Sequence, residues 1–279
     1  MARLLASAGD ESETLDGVER QGQAEAMTDL HRFQSFDGVS IGYRTLGDPA
    51  GWPTLLLHGF LASAESNWFL PGIAAAVAAT GRRVIAPDLR GHGRSDAPSD
   101  PAAWPPDVLA RDQEALVAHL HLSDYDLVGY SLGARTAVRM LTRGARPSKL
   151  VLAGMGERGL MEAGARAAMF EDAIRHGEAA RDPRAGRRVQ AMMAAGGLKP
   201  EAMLGVLASF AATSAEAIAA IDVPTLVVAG QRDDDNGSVE ALAAMMADAR
   251  AVRVPGDHLS AVMEPALAEA IVGFLEATQ

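Results

Sequence analysis

Asp126-Leu127-Val128-Gly129-Tyr130-Ser131-Leu132-Gly133-Ala134 decides how this chain is read, because it runs a short apolar segment straight into a G-x-S-x-G pentapeptide. Such a pentapeptide presents a serine on a strained turn between a strand and a helix. The flanks fit that turn. Tyr125-Asp126-Leu127-Val128 reads as a buried strand, and Ala134 to Arg143 has apolar residues at helical spacing (Ala134, Ala137, Val138, Leu141). Gly144 and Pro147 then stop the helix. Glycine at Gly129 and Gly133 lets the chain turn sharply and lets strand and helix backbones approach, so the serine hydroxyl projects above the sheet. A tight turn that holds serine by chance explains the pentapeptide alone, not the partners found downstream.

Outward from this turn, short continuous apolar runs recur at Thr54 to Leu57, Arg83 to Ala86, Asp126 to Val128, Leu150 to Ala153, Thr225 to Val228 and Ala251 to Val254. Runs of that kind mark strands buried on both faces, as in a parallel sheet. Helical patterns separate most of them: Ile73 to Thr80, Asp107 to His121, Ala134 to Arg143, Ser238 to Ala249 and Pro265 to Ala277. Ahead of them, Phe33 to Leu46 reads as a β-hairpin turning at Asp37-Gly38. An antiparallel start followed by strand–helix alternation predicts an α/β fold, a mostly parallel open sheet flanked by helices.

One interval breaks the alternation. Residues 155–220 carry no strand pattern, only alanine-rich helical sequence punctuated by Gly177, Pro183, Gly196-Gly197 and Pro200. This predicts a helical lid inserted into a core made of residues 30–154 and 221–279. Met155, Met161, Met169, Met192, Met193, Met203, Phe170 and Phe210 are candidates to line an adaptable apolar pocket there, although packing onto the core is the simpler role for any one of them.

Composition narrows the function classes. A chain of 279 residues with 48% hydrophobic content suits one large α/β domain, or a core with an insertion. Its apolar stretches are too short and too interrupted for a transmembrane helix, so no membrane partner is expected. A net charge of -11 argues against nucleic acid, whose phosphates need basic partners. The absence of cysteine excludes disulfides and thiolate chemistry and suits a cytoplasmic location. Residues 1–29 stand apart: Met1 to Ala26 holds Asp10, Glu11, Glu13, Asp16, Glu19 and Glu25 against Arg3 and Arg20. Its one apolar stretch, Leu4-Leu5-Ala6, is too short for a signal peptide, and the composition predicts a disordered acidic tail. Met27 is a candidate start.

A neutral serine hydroxyl needs a positioned base. His258 is the candidate, in the loop Val254-Pro255-Gly256-Asp257-His258 just past the last strand; His58, followed at once by Gly59 in another loop, is its rival. His119 and His121 sit two apart near a helix end and do not share a face. No H-E-x-x-H or comparable spacing occurs, so neither a metal site nor a cofactor is expected. The base in turn needs an acid to fix its tautomer. Gly230-Gln231-Arg232-Asp233 follows a strand and offers Asp233, with Asp234 and Asp235 alongside.

In this order, Ser131, Asp233 and His258 resemble a serine-type α/β-hydrolase, and the likeness extends over about Phe33 to Ala277. His58-Gly59-Phe60 is similar to the family's HG-x oxyanion loop, Asp88 to Ser95 to its D-x-x-G-x-G-x-S segment, and Gly256-Asp257-His258 to its histidine loop. The resemblance implies an oxyanion hole made by the backbone N–H groups of Phe60 and Leu132. It implies a substrate pocket that includes His58, Trp68, Tyr130 and Met155, and Glu157 as an alternative acid. The Gly91 to Ser95 segment is assigned to loop architecture rather than to chemistry. The expected activity is hydrolysis of a small carboxylic ester or lactone through an acyl-enzyme. Serine at the turn argues against relatives that use an aspartate nucleophile. Enol-lactonases, carbon–carbon bond hydrolases and cofactor-free perhydrolases share the triad and stay open. Among the lid arginines Arg158, Arg166, Arg175, Arg187 and Arg188, one that held a substrate carboxylate would favour the first two. A ligand-binding protein on the same fold is the non-enzymatic alternative. A nucleophile, a base, an acid and an oxyanion loop together count against it.

Overall fold

A computed structural model describes residues 29–277, so the tail expected over residues 1–29 lies outside the described residues except for Asp29, which opens the first strand. The hairpin forms as its pattern requires: β1 (Asp29–Gln34) pairs antiparallel with β2 (Ser40–Gly47), with Phe33 opposite Ile41. Gly38 takes the left-handed turn conformation, φ 85°. There follow β3 (Pro53–Leu57), α1 (Ile73–Ala78), β4 (Arg83–Pro87), α2 (Val108–His119), β5 (Asp126–Tyr130), α3 (Leu132–Thr142) and β6 (Lys149–Ala153). The helices α4 (Glu157–Met161), α5 (Ala163–His176), α6 (Pro183–Gly196), α7 (Pro200–Ala208) and α8 (Ala215–Ala219) then intervene. The chain returns to the sheet with β7 (Thr225–Gly230), α9 (Val239–Ala244), β8 (Ala249–Val254) and α10 (Pro265–Glu276).

The eight strands form one sheet in the order β1-β2-β4-β3-β5-β6-β7-β8. The first two pairings are antiparallel and every pairing from β4 to β8 is parallel. Continuous apolar strands are explained by cover on both faces. Leu55 and Leu57 of β3 join a cluster with Val108 and Leu116 of α2 and Val138 of α3. The intervening Leu56 points the other way, to Ile73 and Val77 of α1 and Ile271 of α10. Each such fully buried leucine or isoleucine contributes roughly 1.5–3 kcal/mol.

The order reverses beside β3: the chain goes first to β4 on one side and then to β5 on the other. Ligands of open α/β sheets bind outside the carboxyl ends of the strands at such a switch point. The loops that follow β3, β5, β7 and β8 carry His58-Gly59-Phe60, Ser131, Asp233 and His258, all at that edge.

The insertion is helical throughout and lies between β6 and β7, as its sequence predicts. Its best-marked helix, α6, starts with the Asp182 side chain accepting the Arg184 and Ala185 amides, has Pro183 in its first turn, and ends at left-handed Gly197. The helix expected from Ser238 to Ala249 is shorter and stops at Ala244. Residues 245–248 turn instead, because the Asp248 carbonyl accepts the Thr225 amide and Ala249 begins pairing with β7. Sheet pairing there overrides the helix propensity of Met245 and Met246.

Asp88 to Ser95 proves to be a loop lock. The Asp88 carboxylate accepts the amides of Ala64 and Arg94, each at 2.8 Å, and Ser95 Oγ accepts the Gly42 amide at 3.0 Å. Arg90 is fully buried between Asp37 and Asp112, 2.7 Å from each, and ties the hairpin turn to α2. Among the described residues no helix is long and apolar enough to cross a membrane.

Candidate active site

Ser131 sits at φ 51°, ψ −104°, a region that a non-glycine residue enters only when its surroundings force it to. The two glycines show what forces it. A Cβ on Gly129 would collide with the backbone of Gly133 and Ala134, and one on Gly133 with the Leu57 carbonyl. The helix therefore starts directly against β3 and β5. The Ser131 amide donates to the Ala153 carbonyl at 2.8 Å, which fixes the turn to β6.

His258 reaches this serine from the loop after β8. Its Nε2 lies 3.0 Å from Ser131 Oγ, and its Nδ1 lies 2.9 Å and 3.0 Å from the two carboxylate oxygens of Asp233. Asp233 is buried, and its amide donates to the Gly230 carbonyl at the end of β7. Arg253 braces the same loop by donating to the carbonyls of Gly230 and Asp233. The Tyr130 hydroxyl donates to the His258 carbonyl at 2.7 Å, and burial pushes its phenol pKa up, so it stays a donor.

The other acid candidates are engaged elsewhere. Glu157 accepts the Ser238 amide at 2.7 Å, ahead of α9. Asp235 pairs with Arg166 at 3.0 Å, and the Asp234 side chain is 80% exposed. Among the described residues, Asp233, Asp235 and His258 form a group whose ligand atoms lie within 4.8 Å of one another. Carboxylate and imidazole suit a divalent cation. Here, however, one ring nitrogen of His258 faces Asp233 and the other Ser131, so neither is free.

A cavity of about 210 Å³ opens over Ser131. Phe60, Tyr130, Met169, Phe170, Met192 and Val189 give it a largely apolar wall, while Arg166 and Arg188 supply positive charge. A smaller void of about 30 Å³ adjoins it, lined by Phe60, Ser131, Leu132 and Met155 among others. Neither the Phe60 nor the Leu132 amide donates to a protein group among the described residues. Leu132 is the first residue of α3, where an amide has no acceptor within the helix. Tyr130 lines the main cavity and Met155 the smaller void. Met193 and Met203 instead pack into the core, and Met161 is exposed.

His58 and Trp68 require correction, for neither lines the cavity over Ser131. Trp68 is fully buried behind Tyr130, ring centroids 6.5 Å apart. His58 is also fully buried: its Nε2 accepts the Leu89 amide at 2.9 Å and its Nδ1 donates to the Gly59 carbonyl at 2.8 Å. Both ring nitrogens are used, so it cannot serve as the base.

Burial drops the His58 pKa to about 4, and that of neighbouring His92 to about 3, with His58 adding to the latter shift. The unfolded chain takes up these protons near pH 6.5, the folded chain only far below it, so stability is full above pH 6.5 and lost as pH falls toward 4. His58 alone is expected to account for about 2 kcal/mol of loss between pH 7.5 and pH 5. Urea denaturation of the protein and of His58→Gln at both pH values checks this. Equal pH dependence in the two proteins refutes it.

Asn67 escaped the sequence reading. It lies in a single π-turn, Glu65–Phe69, and its Oδ1 accepts the Gly59 amide at 2.9 Å, which holds the loop before Phe60 against Ser131. No local pattern marks it, because its partner is eight residues away in an irregular loop.

Comparison with known proteins agrees with this geometry. A family model for the alpha/beta hydrolase fold matches residues 53–186. A non-heme chloroperoxidase from Streptomyces lividans is 36% identical over 119 residues, which is 42% of this chain and 40% of that protein. The chain thus spans about two fifths of that relative's length. Among solved structures, a hydrolase from Pseudomonas aeruginosa PA01 superposes with a TM-score of 0.74 at 26% identity, covering 89% of this chain and 99% of that one. An esterase from Rhodococcus sp. ECU1013 gives 0.72 at 25% identity, covering 90% and 100%. Sheet order, strained serine turn and helical insertion concur with these matches: the chain has the α/β-hydrolase fold.

Proposed function

We propose that the chain is a serine hydrolase that cleaves small carboxylic esters or lactones through an acyl-enzyme. The observation that carries this reading is the continuous contact from Asp233 through His258 to Ser131, opening on a largely apolar cavity. Ser131 Oγ attacks the substrate carbonyl carbon while His258 Nε2 takes the hydroxyl proton. The tetrahedral intermediate places negative charge on the former carbonyl oxygen, where the Phe60 and Leu132 amides receive it; one such donor is worth about 3 kcal/mol. Collapse breaks the carbon–oxygen bond, and the departing alkoxide takes the proton from His258. Water then gives its proton to His258, attacks the acyl carbon and releases the carboxylic acid, with the proton returning to Ser131 Oγ. Asp233 holds the imidazole in the tautomer that leaves Nε2 free to accept, and stabilises the imidazolium.

The likeness to a solved esterase supports ester chemistry, and cavity size supports small substrates. About 210 Å³ is below the roughly 300–1,000 Å³ of common ligand sites. Para-nitrophenyl butyrate is expected to be hydrolysed at least about tenfold faster than the palmitate ester, with no loss in a chelator. Faster turnover of palmitate refutes the size argument. Loss of activity in a chelator would place a metal at Asp233, Asp235 and His258 and overturn the serine mechanism.

A further inference from the structure

Arg135 lies four residues after Ser131 on α3, one helical turn on and on the same side, and only 7% of it is exposed. Its Nη2 donates to the Gly159 carbonyl, and its guanidinium carbon lies 4.9 Å from the centroid of the Phe210 ring. Its Nη1 is buried and has no hydrogen-bond partner among the described residues. Burial, and then the positive charges of Arg139 and Arg166, pull its pKa down to about 10. Those two arginines are each matched, by Asp107 and Asp235; Arg135 has no carboxylate partner among the described residues.

A buried cation without a counter-ion costs several kcal/mol, more than one hydrogen bond to a backbone carbonyl returns. A glutamine would make that bond with no charge at all. The Phe210 ring offsets part of that cost, but it neutralises no charge and Nη1 stays without an acceptor. Arg135 forms part of the wall of the 30 Å³ void beside the nucleophile, with Phe60, Ser131, Leu132, Met155 and Asn236. A planar carboxylate matches the guanidinium fork in a bidentate pair.

We propose that this void is an anion subsite in which Arg135 receives a carboxylate carried by the substrate itself, so that the preferred ester or lactone is an acidic one. The inference rests on the hydrolase reading only in taking Ser131 as the point of attack. Because Ser131 borders both the void and the main cavity, one small molecule can place its carbonyl at the serine and its carboxylate beside Arg135.

The test compares two para-nitrophenyl esters of equal acyl length, the monoester of glutarate and the pentanoate. The protein is expected to favour the glutarate monoester by about tenfold or more in kcat/KM, and Arg135→Met to bring the ratio to one or below. A ratio at or below one in the unaltered protein, or one that survives Arg135→Met, overturns the proposal. Glutarate is also expected to raise the Tm of Ser131→Ala, and pentanamide not to. An equal rise in Ser131→Ala combined with Arg135→Met marks adventitious binding and overturns it as well. Pentanoate turnover without any glutarate preference or binding sinks the subsite and leaves the hydrolase. Glutarate binding to Ser131→Ala, with neither ester hydrolysed by the unaltered protein, sinks the hydrolase and leaves the subsite.

Discussion

Ser131→Ala is expected to lower ester turnover by about 10⁴- to 10⁶-fold and to abolish covalent labelling by a fluorophosphonate. The substitution removes one oxygen atom and leaves the rest of the site in place. Alanine at φ 51° is no more strained than serine, and the Ser131 amide keeps its bond to Ala153. Folding is therefore unaffected, and the Tm should match that of the unaltered protein. Residual activity is expected from substrate binding and from the proposed oxyanion amides of Phe60 and Leu132, which would still stabilise attack by water. Labelling at the unaltered serine, lost in the variant, ties the loss to the nucleophile. Turnover within tenfold of normal after the substitution would mean that another group attacks. An unaltered protein that neither labels nor hydrolyses any ester would favour a binding protein on this fold.

Some of this site was legible because sterics leave few choices. Gly129 and Gly133 stand where any Cβ meets backbone, so the serine turn must appear in sequence as G-x-S-x-G. Strands covered on both faces must be apolar throughout, which made β3, β5, β6 and β7 visible as short continuous runs. The order of Ser131, acid candidates and His258 followed from the strand ends that carry them. Other parts depend on contacts that residue type does not encode. A histidine beside Gly59 reads the same whether it faces a substrate or, as here, turns back to accept the Leu89 amide. Trp68 has the chemistry of a pocket wall, yet it backs Tyr130 from the far side. Arg135 did leave a trace. It is a cation within a helix whose neighbours Leu132, Ala134 and Val138 are all buried, but only the void beside Ser131 gives that break a meaning. Methionines of the insertion divide between cavity and core according to helix rotation, which composition cannot reveal.

Asp233→Asn is expected to lower turnover by about 10⁴-fold while leaving substrate binding largely intact. Asparagine keeps the shape of the side chain, so packing against the buried loop survives. What changes is the partner offered to His258 Nδ1. A carboxylate only accepts, and it holds the proton on Nδ1 so that Nε2 can accept the Ser131 proton. An amide can turn its N–H₂ toward Nδ1 and stabilise the opposite tautomer, and it carries no charge to offset the imidazolium. The control variants follow from the geometry of the rival acids. Glu157→Gln loses only charge at the Ser238 amide, Asp235→Asn only an ion pair with Arg166, and Asp234→Asn touches a mostly exposed side chain. Each should keep turnover within about tenfold of the unaltered protein. Steady-state kinetics of the four variants beside Ser131→Ala decides the matter. Near-normal turnover in Asp233→Asn, with collapse in one of the other three, would move the acid to that residue and leave the serine nucleophile standing.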